Sequence, residues 1–325
     1  LLNAEVPLRT LFEHSTLQTF VQALEPEASS VQAPALTRIE RDQSLPLSYA
    51  QERQWFLWQL DPDSAAYHIP TALRLRGTLD VAALERSFNT LLARHESLRT
   101  QFIEEDGGTV QVIQPEMKLT LAVEPFGPTA DFDTRLKARV AQEVSQLFNL
   151  HQGPLLRAKL LQLAADDYVL IVTQHHIVSD RWSMKVTVDE LIELYAGYSQ
   201  GQDVQLPALP IQYADYALWQ RQWMDSGERE RQLAYWLEQL GGEQPVLELP
   251  TDHPRPAQQS YRGAQIQIPL SAELGAALKQ LAQREQVTLF MLLLASFQAL
   301  LHRYSGQNDI RVGVPIANRN RLETE

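Results

Sequence analysis

The run Tyr168–Ser183, YVLIVTQHHIVSDRWS, constrains this chain more than any other stretch. Tyr168–Thr173 is short, apolar and β-branched, the pattern of a buried strand. His175 and His176 follow, and Asp180 comes four residues after His176. Val188, Leu191, Ile192 and Tyr195 then recur at helical spacing, so a helix starts near Trp182 or Ser183. The histidines therefore sit where a buried strand ends and a helix begins. A helix N-terminus favours negative charge that develops nearby.

On the residues alone, three readings of the histidine pair stay open. Neighbouring strand residues alternate sides, so at least one imidazole faces inward, and a structural role is one reading. A metal site fits least: the chain has no Cys, no His-Glu-x-x-His and no further ligand cluster. Acid–base chemistry ranks first.

His175-His176-Ile177-Val178-Ser179-Asp180 resembles the His-His-x-x-x-Asp-Gly signature of condensation domains from nonribosomal peptide synthetases. Those domains belong to a superfamily similar to chloramphenicol acetyltransferase. Four more segments resemble that family's motifs, in its order. Ser48–Trp55, SYAQERQW, is similar to Ser-x-Ala-Gln-x-Arg-x-Trp and lies on an aromatic-rich helix that Ser48 can cap. Arg94–Thr100, RHESLRT, is similar to Arg-His-Glu-x-Leu-Arg-Thr. Tyr213–Arg221, YADYALWQR, resembles Tyr-x-Asp-Tyr-Ala-x-Trp-Gln. Asp309–Pro315 with Asn318-Arg319-Asn320 resembles the late Asp-Ile-x-x-Gly-x-Pro-x-Ala-x-Arg motif.

The resemblance implies an α+β, chloramphenicol acetyltransferase-like fold of two lobes in a V. Each lobe would be a mixed sheet packed against helices, with a tunnel at their junction. Carrier-bound donor and acceptor would enter from opposite faces, and the acceptor amine would attack the donor thioester to form an amide. His176 would orient the amine and accept its proton, and His175 would buttress it. An arginine would pair with Asp180 and fix the loop: Arg94 first, Arg99 second. Arg181, Trp182 and Ser183 would lie at the acceptor channel, with backbone donors near Trp182 and Ser183 at the oxyanion. No metal, nucleotide or directly bound cofactor is implied. The 4'-phosphopantetheine would arrive on donor and acceptor peptidyl carrier domains, with an adenylation domain adjacent. One residue departs from the pattern: Arg181 stands where the family has Gly. That keeps a second class alive, a catalytically silent carrier-binding module. Cyclization relatives carry Asp at the first His, which His175 argues against, and the surrounding motifs fit condensation better than epimerization.

The rest of the chain sorts around this centre. Residues 1–24 hold two short amphipathic pieces, and VPLRTLFEHSTLQTFVQAL resembles the end of a peptidyl carrier domain. Residues 25–44, rich in Pro, Ala, Ser, Gln and charge, read as a linker. Residues 45–226 would form the first lobe and 227–325 the start of a second, incomplete one. Within them we expect a strand over Ala65–Arg76, a helix capped by Asp80 and a hairpin turn at Asp106-Gly107-Gly108. A helix over Leu136–Leu150 and a strand over Leu155–Leu163 follow. Further strands are expected over Ile266–Leu270 and Asp309–Pro315, and helices capped by Ser271 and Thr288. Leu289–Leu301 is shorter than the ~20 apolar residues of a membrane span and reads as a buried core helix. A net charge of −12 argues against nonspecific nucleic-acid binding. The absence of Cys fits a cytoplasmic protein.

Overall fold

The structure, a computed structural model, describes residues 16–23, 33–127, 130–257, 263–264, 266–319 and 321–324. The first amphipathic piece of the chain lies outside the described residues. The second is helix α1 (Leu17–Ala23), entered through Thr16, whose hydroxyl accepts from Thr19 N–H.

Two sheets organise the first lobe. A three-stranded antiparallel sheet runs β1 (Leu45–Pro46), β4 (Gly108–Ile113), β3 (Thr100–Glu105). Strands β3 and β4 form the expected hairpin at Asp106-Gly107-Gly108; Gly108 has φ +123°, a backbone that glycine adopts readily. A four-stranded mixed sheet runs β2 (His68–Arg76), β7 (Asp167–His175), β6 (Leu156–Ala164), β5 (Ala122–Pro125). Among the described strands, only the β5–β6 pair is parallel.

β7 lies inside the mixed sheet and is covered on both faces, which explains its unbroken apolar run. On one face Leu156, Leu160, Leu170 and Val172 pack under α3 (Val81–Arg94) and α5 (Arg181–Tyr198). Asp80 caps α3, accepting from Ala83 N–H at 2.9 Å. On the other face Leu161, Val169 and Ile171 meet α4 (Phe132–Val144). The expected helix over Leu136–Leu150 therefore starts earlier and stops at Val144. Phe148 and Leu150 instead join a third cluster with Trp55, Phe102 and Ile177. That cluster links the two sheets to α2 (Tyr49–Leu60), which Ser48 and Gln51 close with a reciprocal capping box.

The described part of the expected linker, residues 33–44, is strapped to this lobe. Arg41 bonds Glu96 Oε2 at 2.8 Å and Asp215 Oδ1 at 2.7 Å. Ile39 N–H donates to Asp215, and Trp219 Nε1–H donates to the Pro34 carbonyl. Helix α6 (Tyr213–Trp223) carries Asp215 and Trp219. A π-turn at Met224–Glu228, with Gly227 at φ +104°, breaks it from α7 (Arg229–Leu240). This is where the lobe boundary was expected.

Beyond the break lie α8 (Ala272–Arg284), capped by Ser271, and α9 (Leu289–Ser305), capped by Thr288. Three expectations fail here. Ile266–Leu270 and Asp309–Pro315 are not strands, because among the described residues neither meets a neighbouring strand to bond its backbone. A sheet in the second lobe is therefore missing from the described residues. Helix α9 is not a buried core helix: Phe290, Met291, Leu293, Phe297 and Leu300 are exposed, and only Leu301 is buried. Its pattern reports apolar content, but α8 alone does not cover it. No single described helix is long and apolar enough to cross a membrane.

Candidate active site

The site grows from the end of β7. His175 N–H donates to the Leu155 carbonyl at 3.0 Å, and His176 N–H donates to the Tyr67 carbonyl at 2.8 Å. The histidine backbones are thus held from both sides. His175 lies directly opposite His68 across the β2–β7 ladder, and its ring meets His68 and Phe148 edge-on. It is buried, and the Ile177 N–H donates to its Nδ1 at 3.1 Å, which leaves the ring proton on Nε2. Burial first, then His68 and His176, pushes its pKa down to about 3. The His175 ring is therefore neutral near pH 7. His176, on the opposite face, is exposed to a cavity of about 390 Å³.

Asp180 ends the turn and caps α5. Its Oδ1 accepts from the Ser183 N–H and the Ser183 hydroxyl, both at 2.7 Å. Its ion-pair partner is Arg319, whose Nη2 lies 3.1 Å from the same oxygen and 2.8 Å from Ser183 Oγ. Burial opposes ionisation of Asp180, but Ser183 and Arg319 outweigh it and hold the carboxyl below its usual range.

This corrects the expected pairing. Arg94 Nε donates instead to Glu190 Oε1 at 3.0 Å, alongside His95 Nε2 on Glu190 Oε2 at 2.6 Å. Those contacts tie α3 to α5. Arg99 donates to the Gln114 carbonyl and lies 3.9 Å from Glu96. Neither arginine touches Asp180. Both precede the signature loop, on the same side of the lobe break, whereas Arg319 arrives from the far end of the chain, 139 positions away. The late motif containing Arg319 is the one signal in the sequence for this pairing, and nothing local in it points to Asp180.

The expected acceptor-channel residues also separate. Ser183 lines the cavity, but Arg181 and Trp182 do not. Arg181 is exposed, and Trp182, 46% exposed, has the Arg319 guanidinium 6.0 Å from its ring centre. The Ser183 N–H is committed to Asp180, so it is not the expected oxyanion donor. Across the cavity, the hydroxyl of the half-buried Tyr213 meets Ser48 Oγ at 2.9 Å, and desolvation pushes its pKa up to about 12. Residues 316–319 and 323–324 close one wall, so the site draws on both ends of the fold. Among the described residues, no group of three or more His, Asp or Glu side chains could hold a metal ion.

Comparison with known proteins agrees with this geometry. The sequence model of the family described as "Condensation domain" matches residues 41–325. A linear gramicidin synthase of Brevibacillus parabrevis is 49% identical over 99% of this chain, which spans 4% of that protein. Malpinin synthetase of Mortierella alpina is 44% identical over the whole chain, again 4% of the relative's length. Among solved structures, the X-domain from teicoplanin biosynthesis superposes with a TM-score of 0.74 at 34% identity, covering 83% of this chain and 60% of that one. The neighbours share the α+β, chloramphenicol acetyltransferase-like fold. The signature loop, the fold around it and a match over residues 41–325 together place this chain in the condensation domain family.

Proposed function

We propose that this chain forms an amide between two carrier-bound substrates, as an acyltransferase of nonribosomal peptide synthesis. The observation that carries the reading is the placement of His176. It is the exposed member of a rigidly held pair, opening into a cavity between two regions of the chain. The acceptor's amine attacks the donor's thioester carbon; the C–N bond forms, the C–S bond breaks, and the pantetheine thiol leaves. His176 orients the amine and takes its proton as the tetrahedral species forms, passing it to the departing sulfur. The chemistry asks little more, because an α-amino group with a pKa near 7.7–8.0 is partly neutral at pH 7. Holding amine and thioester together supplies much of the rate, with effective molarities of ~10⁵ M or more attainable. Asp180 and Arg319 act at one remove, fixing the loop.

The substrates' arms are 4'-phosphopantetheine on donor and acceptor carrier domains, with an adenylation domain nearby in the longer protein. Support comes from the relatives, of which this chain spans only about a twentieth. Residues 1–24 are read as the tail of a carrier domain on the resemblance of VPLRTLFEHSTLQTFVQAL to the end of one, and they lie outside the condensation family match, which begins at 41. Arg181 fits the active reading because it stands outside the cavity lining. The test is reconstitution: the chain is mixed with separately loaded donor and acceptor carriers, and product is read by mass spectrometry. The native chain yields the carrier-bound amide, and Arg181→Gly changes the rate only modestly. An inactive native chain that becomes fully active as Arg181→Gly would establish the silent module instead.

A further inference from the structure

Five glutamines line the cavity, and they divide into two kinds. Gln51, Gln212 and Gln220 spend both ends of their amides inside the protein. Gln51 accepts from Ser48 N–H and donates to Gln111. Gln212 accepts from Glu96 N–H and donates to the Arg94 carbonyl. Gln220 accepts from Tyr49 N–H and donates to the Tyr216 hydroxyl. Gln54 and Gln174 are different. Gln54 Oε1, both amide atoms of Gln174 and Ser179 Oγ are buried and meet no hydrogen-bonding group among the described residues. These residues are 8%, 0% and 7% exposed, so solvent at the surface does not serve them.

A buried polar atom without a partner costs stability that an apolar side chain of the same shape would not. Three such residues around one cavity therefore point to a ligand. Gln174 lies two residues before His176, which follows directly on β7, and both line the cavity, so their Cα atoms are about 6–7 Å apart. The set offers one amide NH₂ group, two carboxamide oxygens and a hydroxyl that serves either way. An ammonium would leave Gln174 Nε2 unmatched, and a carboxylate would leave both carboxamide oxygens unmatched. A secondary amide, with one N–H and one C=O, matches both.

We propose that Gln54, Gln174 and Ser179 form a binding subsite for a secondary amide of the carrier-bound substrate, aligning its thioester beside His176. The proposal rests on the reading of the cavity as the condensation site and deepens it. Two parts of such a substrate carry this group: the pantetheine arm, close to its thiol, and the backbone of a peptidyl chain.

The test uses the full chain with loaded carriers and the near-isosteric variants Gln54→Met and Gln174→Met. We expect kcat/KM to fall tenfold or more in each, while Tm holds or rises, since the variants remove an unpaired buried group. Substrates with an ester in place of one amide, in the arm or in the peptidyl chain, identify the source. The ester that removes the native chain's advantage should cost Gln174→Met nothing further. Native rates in both variants, or a native chain that handles amide and ester substrates equally, would show that these groups hold ordered water only and would overturn the subsite alone. The second of those results needs no variant to fold. A native chain that forms no amide from loaded carriers would overturn the reading of the site, and the subsite with it.

Discussion

Helix α3 in the first region and helix α9 in the second carry similar apolar patterns with different fates. In α3, Leu84, Phe88, Leu91 and Leu92 recur at helical spacing, and all are buried under the mixed sheet. In α9 the apolar content is higher, yet most of its large side chains face solvent. Beyond Trp219, Ala282 and Leu301 are the only buried hydrophobic residues among those described. An apolar stripe states which face needs cover, and says nothing of whether cover lies within the same stretch of chain. The stability of residues 33–223 should therefore rest on core and clamps, and that of 229–324 on helix caps. The site needs both, because Arg319 crosses from the second region to Asp180 in the first.

The sharpest way to break this contrast is at Arg41. Removing it leaves Asp215, 0% exposed, without an ion-pair partner among the described residues, and leaves Glu96, 9% exposed, with only the longer contacts to Arg99 at 3.9 Å and Arg38 at 4.0 Å. Arg41→Ala should cost roughly 3–5 kcal/mol in denaturant unfolding. A cost under about 1 kcal/mol, the range of exposed ion pairs, would make the strap over residues 33–44 incidental. Next come matched truncations. Leu160→Ala, fully buried, should cost about 2–5 kcal/mol. Phe297→Ala, 47% exposed, should stay within about 0.5 kcal/mol. Equal losses would mean that α9 is covered in solution.

The link between the regions is a smaller effect. Asp180→Ala loses an N-cap and a half-buried pair and should cost about 1–2 kcal/mol. His176→Ala, which removes no side-chain hydrogen bond among the described residues, should melt like the native chain. Equal melting temperatures for the two variants would remove Asp180 from its structural role.

The last effect is a slope against pH. Unfolded, His175 takes up a proton near pH 6.5; folded, it stays neutral down to about 3. The unfolded chain binds more protons in that window, so stability falls as pH drops through it. His68, lowered by burial, acts in the same direction. Glu124, held near 2 chiefly by Arg139, adds its own loss only once the pH falls below about 4.5. Between pH 6.5 and 4.5, His175→Gln should flatten the slope by up to about 1.4 kcal/mol per pH unit. An unchanged slope would mean that His175 is protonated in the fold.

Local chemistry made much of this legible in sequence. Caps at Ser48, Asp80, Ser271 and Thr288, the turn at Gly107-Gly108 and the run into His175 each depend on neighbours a few residues away. Pairings across the chain were not legible. Arg94 stood near the signature loop on motif grounds, but an arginine's partner depends on which helix faces it, and α5 presents Glu190. Arg319 and Arg41 were equally silent, because their partners lie 139 and 174 positions away. The strands expected in the second region failed for a related reason: a β-pattern needs a neighbour to become a strand.

The central claim is that amide formation runs through His176 in a cavity built by both regions. Single-turnover condensation between loaded donor and acceptor carriers tests it most directly, comparing the native chain with His176→Ala at matched folded concentration. The account predicts product from the native chain and a loss of at least about a hundredfold in the variant, the range for removing a positioned acid–base group. Native-like turnover by folded His176→Ala would contradict it.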